Sequence, residues 1–260
     1  MSTEASAAPR LDEGQFAELV HTIREADSVE LKLTVADDQR RSAVAALGMD
    51  PLDAQIRQVF FFDTPSLDLD ARGVVVRARR VQNKGDDSVV KLRPVVPSHL
   101  DEALRASPGF GVEVDAMPGG FVCSASLKHA HKRASVRTVI NEELALGGLF
   151  SKHQRRLFDE YSGGLDLDEL EVLGPIFVLK LKFSPEGYDR KLVAELWLYP
   201  DSSTILELST KCAPADAFQV AAETRAFLTE RGIDLSGEQQ TKTRKALEFF
   251  AKRLRAGVEQ

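Results

Sequence analysis

The feature that most constrains the fold of this chain is a series of segments in which apolar and polar residues alternate. In residues 28–35, with the sequence SVELKLTV, each apolar residue is preceded by a polar or charged one. Such a two-residue period is typical of a β-strand with one buried face and one polar face. Seven further segments read as strands: 55–62, 73–81, 88–96, 109–117, 176–183, 191–199 and 202–210. The resulting eight strands are enough to close a barrel.

The segments between these strands predict helices. Residues 12–26 carry apolar side chains at helical spacing, and residues 37–47 end at Gly48, a common residue after a helix C-terminus. The other predicted helices are 98–106, 133–161, 214–231 and 241–255. Strands and helices do not alternate regularly, which favours an antiparallel barrel with peripheral helices over a parallel sheet.

The polar faces of the predicted strands are unusually rich in paired cations. The basic residues at these positions are Lys32, Arg77, Arg79, Lys91, Arg93, Lys180 and Lys182. The acidic residues at equivalent positions are Glu30, Glu113, Asp115, Glu195 and Glu207. The pattern fits either an open sheet with one face in water or a closed barrel with a charged interior. In the second case the cations would repel one another unless a multivalent anion such as a phosphate chain lay among them.

Three segments together resemble the CYTH family, also called triphosphate tunnel enzymes. They are SVELK, the stretch FFDTPSLDLDARGVVVRARR, and VVKLR. The middle one matches the family pattern DTPxxxLxxxGxxLRxR at Asp63, Thr64, Pro65, Leu69, Gly73, Arg77 and Arg79. The likeness extends over about residues 28–250, with a basic strand at Lys180 and Lys182, an acidic strand at Glu195 and a late lysine, Lys242.

The resemblance implies a fold and a set of site residues. We accordingly predict an α+β protein with a closed eight-stranded antiparallel β-barrel, or tunnel, and peripheral helices. Residues 1–26 would form a tail and a short helix, and residues 27–255 the tunnel domain. The predicted phosphate ligands are Arg77, Arg79, Lys91, Arg93, Lys180, Lys182 and Lys242. Glu30, Glu195 and Glu207 would hold Mg²⁺ or Mn²⁺, and Lys32 and Glu30 would be catalytic.

Two serines depart from the family pattern at the predicted metal site. The first glutamate of the ExExK element is replaced by Ser28, and the second glutamate of a later ExE element is replaced by Ser209. Magnesium needs only one or two protein carboxylates, so the remaining glutamates are a sufficient set. Glu113 and Asp115 are candidates for replacement ligands.

The predicted function is metal-dependent hydrolysis of an inorganic or organic triphosphate, with a partly depleted metal site. One alternative is a protein that binds polyphosphate or a nucleoside triphosphate without turnover, and another is a class IV adenylyl cyclase. An RNA 5′-triphosphate end and a homodimer stay among the candidate partners.

The net charge of −6 argues against a surface that coats nucleic acid. No apolar run reaches membrane-spanning length, no secretory signal opens the sequence, and the two cysteines form no CxxC motif, which together predict a cytoplasmic protein.

Overall fold

The strands of this computed structural model, which describes residues 12–235 and 242–258, form one closed barrel. They are β1 (Ser28–Val35), β2 (Gln55–Asp63), β3 (Val74–Val81), β4 (Asp87–Leu92), β5 (Phe110–Met117), β6 (Gly120–Ala130), β7 (Glu171–Phe183), β8 (Leu192–Leu198) and β9 (Thr204–Cys212). Around the barrel the order is β1-β5-β6-β4-β3-β2-β7-β8-β9, and β9 pairs back onto β1. The predicted closed barrel is therefore confirmed.

The helices lie outside the barrel or across its end. They are α1 (Glu13–Glu25), α2 (Arg40–Ala46), α3 (Asp68–Ala71), α4 (Glu102–Arg105), α5 (Ser135–Ile140), α6 (Lys152–Tyr161), α7 (Ala217–Glu230) and α8 (Lys242–Val258). The predicted helix at 133–161 is thus divided into two, and most of the predicted tail (residues 1–11) lies outside the described residues, as does residue 241. No helix within the described ranges is long and apolar enough to cross a lipid bilayer.

The prediction of eight antiparallel strands is wrong, because the barrel has nine strands of mixed direction. The strand that the sequence analysis missed is β6, which pairs with β4 and β5. Its outer face carries Cys123, Ala125 and Leu127. Apolar and polar residues therefore do alternate along β6, but some of the apolar residues are small, which makes the pattern weak. A closed ring with an odd number of strands cannot be antiparallel throughout. The parallel pair is β1 with β5, where Glu30 lies opposite Asp115.

The apolar outer faces of the strands pack beneath the helices in three clusters. In the first, β3, β4 and β6 pack against α5 and α6 through residues such as Val76, Leu127 and Phe158. In the second, β1, β8 and β9 pack against α2 and α7, and in the third, β5 and β6 pack against α1. Because the helices cover these outer faces, the polar face of each strand is turned toward the barrel interior.

One end of the barrel is closed by an apolar plug. Phe61 and Trp197 lie on the inner face of their strands and pack with Ala246, Leu247 and Phe250 of α8. Lys242, the first residue of α8, reaches past this plug into the interior. At the opposite end, the inward positions carry exposed lysines, namely Lys128, Lys182 and Lys211. The barrel is therefore a charged cavity with one apolar end and one basic opening.

The loop between β2 and β3 is held by the first residue of the DTP motif. Asp63 is buried, and its carboxylate accepts hydrogen bonds from the backbone N–H groups of Thr64, Leu69 and Asp70 at 2.7, 2.9 and 3.0 Å. Gly73 follows with φ of 73°, and a Cβ there would come within 2.5 Å of the carbonyl oxygen of Arg93. The motif thus fixes where β3 begins, and with it the inward arginines that follow.

Candidate anion-binding tunnel

The barrel interior carries more positive than negative side chains. The basic residues that face it are Lys32, Arg57, Arg77, Arg79, Lys91, Arg93, Lys128, Lys180, Lys182, Lys211 and Lys242. The acidic residues are Glu30, Asp87, Glu113, Asp115, Glu195 and Glu207. The eleven basic and six acidic residues named here leave an excess of five positive charges, although the whole chain has a net charge of −6. Such an interior favours an anionic ligand.

Three cations converge on the carboxylate of Asp115, which is fully buried. The ammonium of Lys32 lies 2.7 Å from Oδ1, while Arg93 and Lys91 lie 3.5 and 3.7 Å from Oδ2. Despite this closeness, neither Asp115 oxygen accepts a hydrogen bond of good geometry within the described residues. Burial alone would raise the pKa of Asp115, but the three cations outweigh burial and lower the pKa. Asp115 is therefore an ionised carboxylate at neutral pH, with cations beside both of its oxygens.

The lysines around Asp115 differ in how well they are neutralised. Burial lowers the pKa of Lys91 to about 8, and the attraction of Asp115 does not offset burial together with repulsion from Lys32 and Arg93. For Lys32, burial also lowers the pKa, yet Glu30, Asp115 and Glu207 together raise it above the ordinary value. Lys32 is thus a stable cation inside the barrel, whereas the positive charge of Lys91 is only partly balanced by nearby carboxylates.

A group of carboxylates lies beside these lysines. Oxygen atoms of Glu30, Glu113 and Asp115 lie within 4.8 Å of one another, an arrangement that could hold a metal ion. Ser28 is directly opposite Glu113 in the β1–β5 register, so the strand next to β1 supplies a carboxylate beside the position where the family pattern has a glutamate. Ser209 donates a hydrogen bond of 2.9 Å to Glu30. Both serines therefore lie beside the acidic group.

Glu195 and Glu207 lie in a separate group with two lysines. Lys180 contacts Glu195 at 2.7 Å, and Lys242 contacts Glu195 at 2.7 Å and Glu207 at 2.6 Å. Burial would raise the pKa of Glu195, but Lys242 and Lys180 hold the pKa well below its usual range. The predicted metal ligands are consequently divided between two groups. Glu30 lies with Glu113 and Asp115 and is 3.1 Å from Lys32 Nζ, whereas Glu195 and Glu207 lie together beside Lys242.

The arginines of β3 lie on the same inner face but in different environments. Arg79 is paired with Asp87, with Nε 2.9 Å from Oδ1. Arg77 forms no ion pair within the described residues, and its Nε is buried without a hydrogen-bond partner there. Burial, together with repulsion from Arg79, lowers the pKa of Arg77 to about 9. Arg77 is therefore the inward arginine with the least neutralisation.

Several charged residues of the interior were not among the predicted site residues. Arg57 shares the inner face of β2 with Val59 and Phe61, so two-residue spacing alone would have found it. Lys128 lies on β6 and was missed with that strand. Lys211 contacts Glu113 near the basic opening. Lys182, by contrast, was a predicted phosphate ligand, and it is exposed at that opening on the same face as Lys180.

Comparison with known proteins identifies solved structures that resemble this chain. No protein-family model and no curated protein matches the sequence. The crystal structure of a "putative adenylate cyclase" from Bacillus halodurans matches with a TM-score of 0.59 at 11% identity, covering 85% of this chain and 97% of that one. A "putative adenylyl cyclase" from Hippeastrum, described as having a dominant triphosphatase activity, matches with a TM-score of 0.59 at 20% identity, covering 81% and 91%. The chain therefore shares the fold of these two solved structures, which agrees with the fold that the resemblance to the CYTH family implied.

Proposed function

We propose that the tunnel binds a triphosphate or polyphosphate chain together with a divalent ion and hydrolyses a phosphoanhydride bond of that chain. The observation that carries this proposal is the set of buried cations without sufficient counter-charge. Arg77 has no partner for its Nε among the described residues, and the pKa of Lys91 is lowered to about 8. A phosphate chain supplies closely spaced negative charges and many acceptor oxygens, and this is what these side chains lack.

The acidic group of Glu30, Glu113 and Asp115 suits Mg²⁺ or Mn²⁺. All its donors are carboxylate oxygens, which hard divalent cations prefer. In the part of the chain that the structure describes, both Asp115 oxygens are buried and no group donates a well-oriented hydrogen bond to them. When bound, a divalent ion neutralises phosphate charge and lowers the pKa of a coordinated water. Glu30 thus keeps the metal role proposed from the sequence, with Glu113 and Asp115 as its partners.

The basic residues of the tunnel would position and neutralise the substrate. Lys91 and Arg93 lie beside Asp115 of the acidic group, and Lys180 lies beside Glu195. Arg77 faces the interior from β3. Positioning and charge stabilisation account for most of phosphoryl-transfer catalysis. Because the pKa of Lys32 is raised, this residue would act as a fixed cation that orients the terminal phosphoryl group beside Glu30, and not as a proton acceptor.

The comparisons support this proposal without deciding between related activities. The Hippeastrum protein is described with a dominant triphosphatase activity, and both structural neighbours carry a cyclase description. A cyclase must also bind adenine. The sequence carries no recognisable adenine-binding motif. We therefore favour a triphosphatase over a cyclase.

Phosphate release tests the proposal. We expect release from tripolyphosphate, ATP or thiamine triphosphate with Mg²⁺ or Mn²⁺, and a loss of at least about 100-fold in Asp115→Asn, which removes a metal ligand and a buried charge. Lys84→Met, in the exposed turn between β3 and β4, is the matched control and should retain activity. Binding of tripolyphosphate without release would favour the non-catalytic binding protein. Failure to bind any of the three compounds would refute both readings.

A further inference from the structure

Glu195 and Glu207 are the second carboxylate pair of the tunnel, and both already contact a cation of the chain itself. Lys242 Nζ lies 2.7 Å from Glu195 Oε2 and 2.6 Å from Glu207 Oε1. The two glutamates are directly opposite each other in the β8–β9 register. Without the ammonium, two carboxylates would face each other in a largely buried site, so a cation is required there.

The surroundings fix Lys242 at this position. Its ammonium lies 5.1 Å from the centre of the Trp197 ring, and the Tyr199 hydroxyl donates a hydrogen bond of 2.9 Å to the carbonyl of Lys242. Three hydrophobic residues of α8, Ala246, Leu247 and Phe250, pack in the apolar plug directly behind it. The side chain of Lys242 is only 17% exposed. The ammonium is therefore held by the docking of a whole helix.

The other oxygen of Glu195 is also occupied. Lys180 Nζ lies 2.7 Å from Oε1, while the Trp197 indole N–H donates to Oε2 at 3.3 Å. A divalent ion at this pair would have to displace Lys242 and bring two positive charges close to Lys180 and Lys32. In the acidic group of Glu30, Glu113 and Asp115, Lys32 and Lys211 also contact carboxylates. The difference is that, within the described residues, both Asp115 oxygens are buried without a hydrogen bond of good geometry.

We propose that Lys242 is the resident cation of the Glu195–Glu207 pair, so that the tunnel takes up a single divalent ion, at Glu30, Glu113 and Asp115. The location of that single ion rests on the proposed function, whereas the role of Lys242 rests on its own contacts. Lys242 then determines how many metal ions the tunnel binds, because its ammonium occupies the position where a second metal ion would otherwise bind. Removing the ammonium exposes a latent cation site built from Glu195 and Glu207.

Counting bound Mn²⁺ tests this inference. We would titrate the full chain with Mn²⁺ and measure free Mn²⁺ by its electron paramagnetic resonance signal, comparing wild type, Lys242→Met and Lys245→Met. Lys245 is the matched control, since it lies on the same helix over the Tyr199 ring and contacts neither glutamate. The inference predicts one ion in wild type and Lys245→Met, and two in Lys242→Met. Two ions in wild type, or equal numbers in wild type and Lys242→Met, would overturn it.

The same titration separates this inference from the proposed metal site. If wild type bound no Mn²⁺ and Lys242→Met bound one, the role of Lys242 would stand and the site at Glu30 would be refuted. Should Lys242→Met fail to fold, Glu207→Gln in the presence of Lys242 provides the test. Because Lys242 and not the metal ion occupies Glu207, this variant should still bind one Mn²⁺ with affinity within about twofold of wild type. Loss of Mn²⁺ binding in folded Glu207→Gln would overturn the inference.

Discussion

Replacing Lys91 with methionine should stabilise the ligand-free protein while weakening its hold on triphosphate. The Lys91 side chain is 23% exposed and shares Asp115 with two other cations, so its own charge is poorly compensated. The pKa of Lys91 is lowered from 10.5 to about 8 in the folded protein. Since one pKa unit corresponds to about 1.4 kcal/mol, keeping Lys91 charged costs the folded protein ~3 kcal/mol. Methionine has a similar length and no charge. We expect Lys91→Met to raise the free energy of unfolding at pH 7 by about 1–3 kcal/mol.

The pH dependence follows from the direction of the same shift. The pKa of Lys91 is lower in the folded than in the unfolded protein, so the cost is fully present below pH 8. The cost disappears as the pH rises from about 8 toward 10.5, because the folded protein releases the proton first. Wild type should therefore gain stability across this interval relative to Lys91→Met.

Urea unfolding at pH 7 and pH 9.5, with Lys84→Met as the exposed control, measures both effects. Calorimetry at pH 7 should show tripolyphosphate affinity lower by about 10–100-fold in Lys91→Met, which is the usual cost of losing one charge-assisted hydrogen bond. The reasoning fails if Lys91→Met is less stable than wild type by more than about 1 kcal/mol and binds tripolyphosphate equally well. Lys91 would then be a structural partner of Asp115.

Three further substitutions test other parts of the account. Arg77→Met should weaken tripolyphosphate binding by about 10–100-fold in calorimetry. The urea midpoint should be equal or higher, because Arg77 forms no ion pair with the described residues that could be lost, and a large drop in stability would contradict this. Asp115→Asn should lose Mn²⁺ binding and about 2–4 kcal/mol of stability at pH 7. Since the pKa of Asp115 is lowered on folding, wild type should lose this advantage as the pH falls below about 4, and equal acid sensitivity of the two proteins would refute the charge argument. Asp63→Ala should cost about 2–4 kcal/mol in urea unfolding, because three backbone N–H groups lose their acceptor, whereas Asp68→Ala, on the exposed side of the same loop, should cost less than about 1 kcal/mol.

The strands could be predicted because they repeat one simple pattern, and the resemblance to the CYTH family then favoured a closed barrel over an open sheet. Charged side chains at every second residue, opposite an apolar face, place residues such as Arg77, Lys91 and Lys180 inside once the sheet closes. The DTP motif also predicted the loop after which β3 begins. These local features are readable because they depend on residues close together in the chain.

The ninth strand and the grouping of the carboxylates could not be predicted in this way. The small residues of β6, such as Ala125 and Ser126, form an alternating pattern too weak to distinguish a strand from a loop. The acidic group depends on a parallel pairing of β1 with β5, which brings Glu113 beside Ser28 across more than eighty residues of chain. Likewise, the contact of Lys242 with Glu195 and Glu207 depends on where α8 docks. Such long-range pairings are decided by closure of the whole barrel.

Binding of tripolyphosphate to the tunnel is the most direct test of the central claim. We would titrate tripolyphosphate in the presence of Mg²⁺ into wild type and into the double variant Arg77→Met/Arg79→Met, monitoring heat by calorimetry. The account predicts one bound tripolyphosphate per wild-type chain and an affinity lower by at least about 100-fold in the double variant, from the loss of two charge-assisted contacts. Absence of binding to wild type, or equal affinity in the two proteins, would contradict the claim that these inward arginines hold a phosphate chain.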